Sequence, residues 1–517
     1  MDRRSKSGNA EAGRIFQVKI SGGDETLERT GKAGHRRSNT FRYRAQSIRQ
    51  TACMLCFLLQ PPAYPFLQPI KKHKEIIMEQ KEMKRNMGVL TAMSVVVGCV
   101  IGAGVFFKPY AIYQATGGAP GMAMISWIAG GIISIFGALT FAEIAVLIPK
   151  TGGMVTYLGD VYGKRIGFLA GWMQVVIFYP SYLAGYGVKV GTELSSLLGI
   201  NISMPVGIAI IIGIVLLNVL GSEAAGKFQI VSTACKLIPL FLIMIVGFIL
   251  GQSTEPVLSP MVGEGLNAGS VLGTTLLAVL FAFEGWTNVG TIAGEMKNPA
   301  RDLPVAIVGG VSIIMAVYLL INIAYIKVIP ASELMNIESP AAAVANVLFG
   351  KAGGLIISIG IIISVIGAGN GFLLAGSRVA YHLATEKTLP CSDKLAALNS
   401  RQVPANSIIL VGTLACLYSL LGKFDLLTDM GTFSCWIFYT LTFACVMTMR
   451  RRHPELKRDY KVPLYPVIPL LAILSGLYVI FSQLFLSGAG GRIMALASVG
   501  ITLVGLPVCL ITEKKSK

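Results

Sequence analysis

Twelve apolar runs, centred near residues 100, 134, 180, 212, 240, 282, 316, 367, 413, 439, 474 and 502, leave this 517-residue chain few ways to fold. Each is about 20 residues long, the length a helix needs to cross the hydrocarbon core of a bilayer. The expected fold class is an all-α membrane protein with 12 transmembrane helices. Composition agrees: 14% of residues are charged and mean hydropathy is +0.67, against about 25% charged residues in soluble proteins. Little length remains for a soluble domain.

A formal charge of +18 would suggest nucleic acid in a soluble chain, but its distribution gives it another meaning. Residues 1–77 hold 15 Lys/Arg against 6 Asp/Glu, half of the excess. Of the 29 remaining Lys/Arg, 21 fall in the stretch before the first span, the even-numbered loops and the C-terminal tail, including Arg450 to Arg452, Lys457 and Arg458. Five (Lys108, Lys327, Lys351, Lys423 and Arg492) fall on the other side. The positive-inside rule then predicts two cytoplasmic termini, as an even number of spans requires.

Two spans are interrupted. Gly98 to Phe106 reads Gly-Cys-Val-Ile-Gly-Ala-Gly-Val-Phe, and Phe281 to Trp286 reads Phe-Ala-Phe-Glu-Gly-Trp. Irregular backbone at membrane depth is tolerated only where protein, water or a ligand meets its polar groups. Breaks at corresponding places in two repeats point to a transporter's substrate site. Helix–helix close packing is the other use of such glycines. Spans six to ten repeat the plan of spans one to five, each set carrying its break in its first member.

The segment before Met78 differs from the rest: basic and Ser/Arg-rich, then a short apolar run from Cys53 to Leu59 broken by Pro61, Pro62 and Pro65. Translation is expected to begin at Met78, since codons for Lys74-Glu75 can form a ribosome-binding sequence; otherwise residues 1–77 are a disordered tail. The permease domain is expected at 78–512, with repeat one at about 86–251, repeat two at about 268–450, helices 11 and 12 at about 463–512, and a cytoplasmic tail at 513–517. Nine scattered cysteines imply no disulfide framework, and Cys53 and Cys56 lack the partner pair of a metal or redox site. The four histidines are too dispersed for a metal site by spacing. No cofactor is expected.

Three stretches carry a family resemblance: Val97 to Phe106, Ala142 to Gly153 (Ala-Glu-Ile-Ala-Val-Leu-Ile-Pro-Lys-Thr-Gly-Gly), and Gly294 to Pro299 (Gly-Glu-Met-Lys-Asn-Pro). Together they resemble the amino acid–polyamine–organocation superfamily, within it the L-type amino acid transporters, and most nearly the bacterial serine/threonine exchanger type. That type also shares Val462 to Pro466 (Val-Pro-Leu-Tyr-Pro). The resemblance implies a five-plus-five (5+5) inverted repeat, discontinuous helices 1 and 6, and alternating access.

It also implies a site. Amides around Gly102, Ala103 and Gly104 would hold a substrate carboxylate at a half-helix N-terminus. Carbonyls of Val100, Ile101, Phe281, Ala282 and Glu284 would hold its ammonium. Ala103 stands where family members carry serine, so carboxylate binding here rests on backbone alone. Phe281 matches an aromatic that closes over the substrate. Lys236 matches a lysine that takes the place of sodium in sodium-independent relatives, or it snorkels. The Glu284 side chain could read a substrate ammonium, serve as a protonatable coupling group, or stabilise the break. Tyr318 matches a tyrosine near the site and Asn370 a polar position near the substrate side chain, both of which also read as packing, and Trp436 is a weaker candidate for a pocket wall. Lys189 is expected to snorkel outward.

The resulting expectation is a multi-pass carrier in a bacterial plasma membrane, moving small neutral L-amino acids as a sodium-independent exchanger. A proton-coupled symporter or a carrier of cationic amino acids or polyamines is the rival within transport. A membrane sensor would need a signalling domain, and an enzyme clustered nucleophiles, bases or metal ligands. The expected partners are the amino acid substrate and the lipid bilayer, with no nucleic acid. Animal relatives join a glycoprotein subunit through a cysteine between spans three and four; the loop from Leu197 to Pro205 has none, so no disulfide-linked heavy subunit is expected.

Overall fold

The computed structural model describes residues 88–148, 152–287 and 296–516, within the compact unit Met83–Lys517. Expectations for the tail 1–77, the start at Met78, Cys53 and Cys56, residues 149–151 of the Ala142 to Gly153 stretch and the first part of the Gly294 to Pro299 stretch lie outside those residues. The described residues build seventeen α-helices and two π-helical turns.

In chain order these are α1 (Val89–Val100), α2 (Gly104–Thr116), α3 (Pro120–Leu147), α4 (Met154–Tyr162) and α5 (Lys164–Met173). A π turn at Gln174–Phe178 joins α5 to α6 (Tyr179–Leu198). Then come α7 (Ser203–Val219), α8 (Ser222–Leu250), α9 (Ala268–Ala282), α10 (Pro299–Val328), α11 (Ala331–Leu334) and α12 (Pro340–Thr385). The last five are α13 (Ser392–Leu395), α14 (Ala405–Ser419), α15 (Phe424–Arg452), α16 (Val467–Phe481) and α17 (Ala489–Ser516). Helix α12 is kinked at Gly350, whose φ of 66° and ψ of 178° are not helical. Helix α17 runs four residues past 512, where a tail was expected.

Among the described residues, eight helical segments are long and apolar enough to cross a membrane, and α7, α9 and α14 are shorter apolar helices. Every predicted span centre falls on a helix or at a helix end. Large aliphatic side chains such as Ile249 (72% exposed), Ile356 (70%) and Ile493 (67%) face outward. In water such patches would drive association; in a multi-pass membrane protein they meet lipid tails.

The segment Lys164–Leu198 is the most enclosed, with 83% of its most apolar stretch buried, and Phe424–Arg452 follows at 78%; Ala489–Lys514 is peripheral at 28%. Around that centre α10 packs on α1 and α3, α9 on α2 and α3, α12 on α6 and α8, α14 on α6 and α7, and α15 on α6. Both chain breaks therefore lie inside the bundle.

Candidate functional site

Helix α1 stops at Val100 because Ile101 leaves the helical region, with φ −65° and ψ 104°, although its amide still donates to Val97 O. Helix α2 restarts at Gly104. Its opening amides have no intrahelical acceptor, and they arise from a buried stretch, Ile101 to Gly104. The second break follows Ala282, where Phe283 and Glu284 donate to Val279 O and Phe281 O at 3.0 and 3.1 Å. Gly285 has φ +119°, a conformation other residues adopt only with strain.

The two breaks touch. A Cβ added to Gly104 would lie 2.5 Å from Ala282 Cα and 2.6 Å from Ala282 Cβ, so only glycine lets α2 come this close to α9. The Tyr318 hydroxyl of α10 lies 3.2 Å from Val100 O and 2.9 Å from Ala282 O. Its single proton serves either carbonyl, one from each break. Trp127 and Phe283, with ring centroids 5.3 and 5.2 Å away, hold the tyrosine edge-on. Tyr318→Phe would keep that packing and lose the shared donor. We expect uptake to fall about 5- to 10-fold, corresponding to roughly 1 kcal/mol for one hydrogen bond; wild-type uptake would show that the bridge does not matter.

Phe281 is buried on a wall of rings: Tyr182 at 4.9 Å, Phe424 at 5.7 Å and Tyr186 at 6.3 Å, with Phe372 stacked 4.7 Å from Tyr182. Above the Phe281 ring, at 5.0 Å, stands Lys108 Nζ. Lys108 was counted only among the five charges on the outer side. Instead it is fully buried in α2 and held by Asp425 at 2.8 Å and Asp429 at 2.9 Å, both on α15. A buried cation persists only when paired in this way. Lys189 does not snorkel: it is buried, 3.1 Å from Glu193, donates to Glu338 O at 3.0 Å, and lies 4.4 Å above the Phe107 ring.

The other predicted residues divide between the break and its surroundings. Lys236 Nζ on α8 donates to Gly98 O in the last turn of α1, which ties the two helices beside the first break. Glu284 Oε1 accepts from the Tyr439 hydroxyl at 2.6 Å and from Gly285 N at 3.2 Å. Trp436 is buried one helical turn before Tyr439, ring centroids 5.9 Å apart. Asn370 braces other helices instead. Its side-chain amide accepts from Asn218 Nδ2 and donates to Ala225 O and Gln229 Oε1, linking α12 to α7 and α8.

Lys108, Tyr439 and the buried carboxylate of Glu143 were not singled out in the sequence. The only signal for Lys108 was its place in the half-helix that restarts after Gly104. Tyr439 is one of 17 tyrosines and became visible only through Glu284.

Residues 87–506 match the amino acid permease family. Over 434 residues the chain is 37% identical to the Serine/threonine exchanger SteT of Bacillus subtilis (strain 168), covering 83% of this chain and 97% of that protein. It is 29% identical to the human b(0,+)-type amino acid transporter 1 over 411 residues, 78% of this chain and 83% of that one. It is also 29% identical to the human Cystine/glutamate transporter over 456 residues, 85% and 88% of the two chains. Two touching helix breaks inside an apolar bundle and a family match over most of the chain lead to one conclusion: this multi-pass membrane protein belongs to the amino acid permease family, whose members are carriers and not enzymes.

Proposed function

We propose that the chain exchanges small neutral L-amino acids of the serine/threonine kind across a bacterial plasma membrane, without sodium, by alternating access. The observation that carries this reading is the contact of the two breaks at Gly104 and Ala282 under the Tyr318 hydroxyl. It puts the opening amides of α2 and the final carbonyls of α1 and α9 in one buried place. An amino acid zwitterion needs both kinds of group there, since neither charge keeps its water inside a bilayer. Gly102, Ala103 and Gly104 would supply amides to the carboxylate; Val100, Ile101, Phe281, Ala282 and Glu284 would supply carbonyls to the ammonium. Phe281 would close over the substrate. Lys236, bonded to Gly98 O, would stand for the sodium ion of coupled relatives. The kind of substrate and the exchange mode follow the 37% identical Bacillus subtilis exchanger.

Twelve spans in a five-plus-five inverted repeat are the architecture that goes with this reading. Spans one to five would be α1 with α2, α3, α5 with α6, α7, and α8; spans six to ten would start at α9 and continue with α10, α12, α14 and α15. Exchanging each span with the one five later turns the neighbours 1 and 7 into 6 and 2, 3 and 10 into 8 and 5, and 3 and 9 into 8 and 4. Every one of these pairs is packed together. Pairs 2 and 7, 3 and 8, and 4 and 9 map onto themselves and are packed too. An odd number of spans per repeat would insert the second half upside down. The permease domain would cover 78–512, with both termini cytoplasmic and α16 and α17 outside the repeat.

The test is uptake of labelled L-serine into sodium-free liposomes reconstituted with the protein. Uptake that requires internal amino acid is the expected result. Uptake into empty vesicles under a proton gradient would replace exchange by symport, and no uptake in either condition would overturn the substrate assignment.

A further inference from the structure

Four acids are buried among the described residues: Glu143, Glu193, Glu284 and Asp302. Three are answered by a positive charge or dipole. Glu143 holds Arg450 through both oxygens at 2.8 and 2.6 Å, and Glu193 lies 3.1 Å from Lys189 Nζ. Asp302 sits in the first turn of α10, at the positive end of the helix dipole.

Glu284 has neither. Its Oε1 meets a hydroxyl and an amide, and no Lys, Arg or His nitrogen lies within 4.0 Å of the carboxylate among the described residues. The stretch that follows, residues 288–295, contains no basic residue at all. Glu284 also lies just past the C-terminus of α9, the negative end of that helix. Burying a carboxylate without a countercharge is costly, and here the local dipole adds to the cost.

The carboxyl group is nevertheless held firmly. Tyr439 is buried between Trp286 and Trp436, with ring centroids at 5.6 and 5.9 Å. Having given its one proton to Glu284 Oε1, its hydroxyl accepts from Thr287 Oγ1 at 3.1 Å. The order Thr287 to Tyr439 to Glu284 fixes the direction of each bond and ties the carboxyl at the sixth-span break to the tenth proposed span. Two residues before Glu284 is Ala282, whose carbonyl is shared with Tyr318.

We propose that the Glu284 carboxylate supplies the countercharge to the substrate's α-ammonium, and that Tyr439 is a positioning residue acting through it. This rests on the amino acid carrier reading and deepens it. The carbonyls at the breaks give the ammonium directional acceptors; Glu284 gives the full negative charge they lack. A permeant molecule without an amine should then be discriminated against by charge and not only by shape.

The experiment uses the full chain in liposomes, with labelled L-serine as substrate and 3-hydroxypropanoate, which lacks the amine, as competitor. For Glu284→Gln we expect the KM for serine to rise about 10- to 100-fold, the range for losing a hydrogen bond to a charged group. Vmax should stay within a few-fold and the affinity for 3-hydroxypropanoate should not fall, so that discrimination between the two collapses. Glu284→Asp should restore part of the serine affinity. Tyr439→Phe should raise the KM about 5- to 10-fold, one hydrogen bond's worth, and add nothing on top of Glu284→Gln, because its effect runs through the same carboxylate. An unchanged KM in Glu284→Gln, or a loss confined to Vmax together with the pH dependence of uptake, would overturn the proposal. So would additive effects of the two substitutions. Failure of the wild-type protein to transport serine would instead overturn the carrier reading for that substrate. If Glu284→Gln does not fold, Glu284→Asp and Tyr439→Phe carry the same comparison.

Discussion

Gly104→Ala should abolish transport, whereas Gly102→Ala, two residues earlier in the same glycine-rich break, should remain active. The difference is one of space. At Gly104 the new methyl group would be 2.5 Å from Ala282 Cα, a backbone atom that no rotamer change can move aside. At Gly102 the nearest atoms are Val100 O at 3.7 Å and Ala368 Cβ at 3.8 Å, ordinary van der Waals distances. Relieving the clash would push α9 away from α2. Overpacking of this kind costs about 1–3 kcal/mol, and here the whole cost falls on the contact that joins the breaks. Separation would also pull Ala282 O from the Tyr318 hydroxyl. Serine uptake by the two variants, normalised to protein in the liposomes, checks the prediction. Equal activity would mean that the approach of α2 to α9 is dispensable.

Glu143→Ala should destabilise the protein more than Gly104→Ala or Tyr318→Phe. The Glu143 carboxylate, 2% exposed, receives Arg450 in a bidentate pair. It also takes Val462 N at 2.7 Å and stands 3.6 Å from Arg458 Nε. Arg450 lies 3.9 Å from the centre of the Tyr465 ring. The cluster therefore fastens the end of α3 to the end of α15 and to the link before α16. Removing one partner of a buried ion pair costs about 3–5 kcal/mol because the other charge is left behind, a large share of the roughly 5–15 kcal/mol that holds a native protein together. Glu143→Gln, which keeps the shape and one acceptor, should lose less. Survival of the monodisperse species after heating in detergent measures both; a melting curve like that of the wild type for Glu143→Ala would show that the cluster is structurally idle. Function is at stake through the same helices, since α3 carries Trp127 against Tyr318 and α15 carries both Tyr439 and the Asp425 and Asp429 pair for Lys108.

Much of the candidate site was legible along the chain because helix breaks are local events. Gly102 to Gly104 and Glu284 to Gly285 interrupt apolar runs, and the backbone leaves the helix at both places. Tyr318 and Lys236, expected near the site, each bond to a carbonyl at or just before a break. Charged side chains were harder. Lys108 read as one more charge on the outer side because its partners, Asp425 and Asp429, lie 317 and 321 positions away. Asn370 carried a polar side chain toward the bundle, but which groups would take up its amide depended on how α7, α8 and α12 meet.

The amino-acid sequence by itself determined that this chain is a multi-pass membrane protein, where its apolar helices lie, and where two apolar runs are broken. Those properties follow from transfer free energy and backbone geometry, which act over one helix length. Only the tertiary structure decided that the breaks touch at Gly104 and Ala282, that Lys108 and Lys189 are paired inside the protein, and that Tyr439 holds Glu284. Such pairings depend on helix approach to within a few ångströms across hundreds of residues of chain. In a low-dielectric interior, a polar group's partner, more than its own hydropathy, sets whether it can be buried.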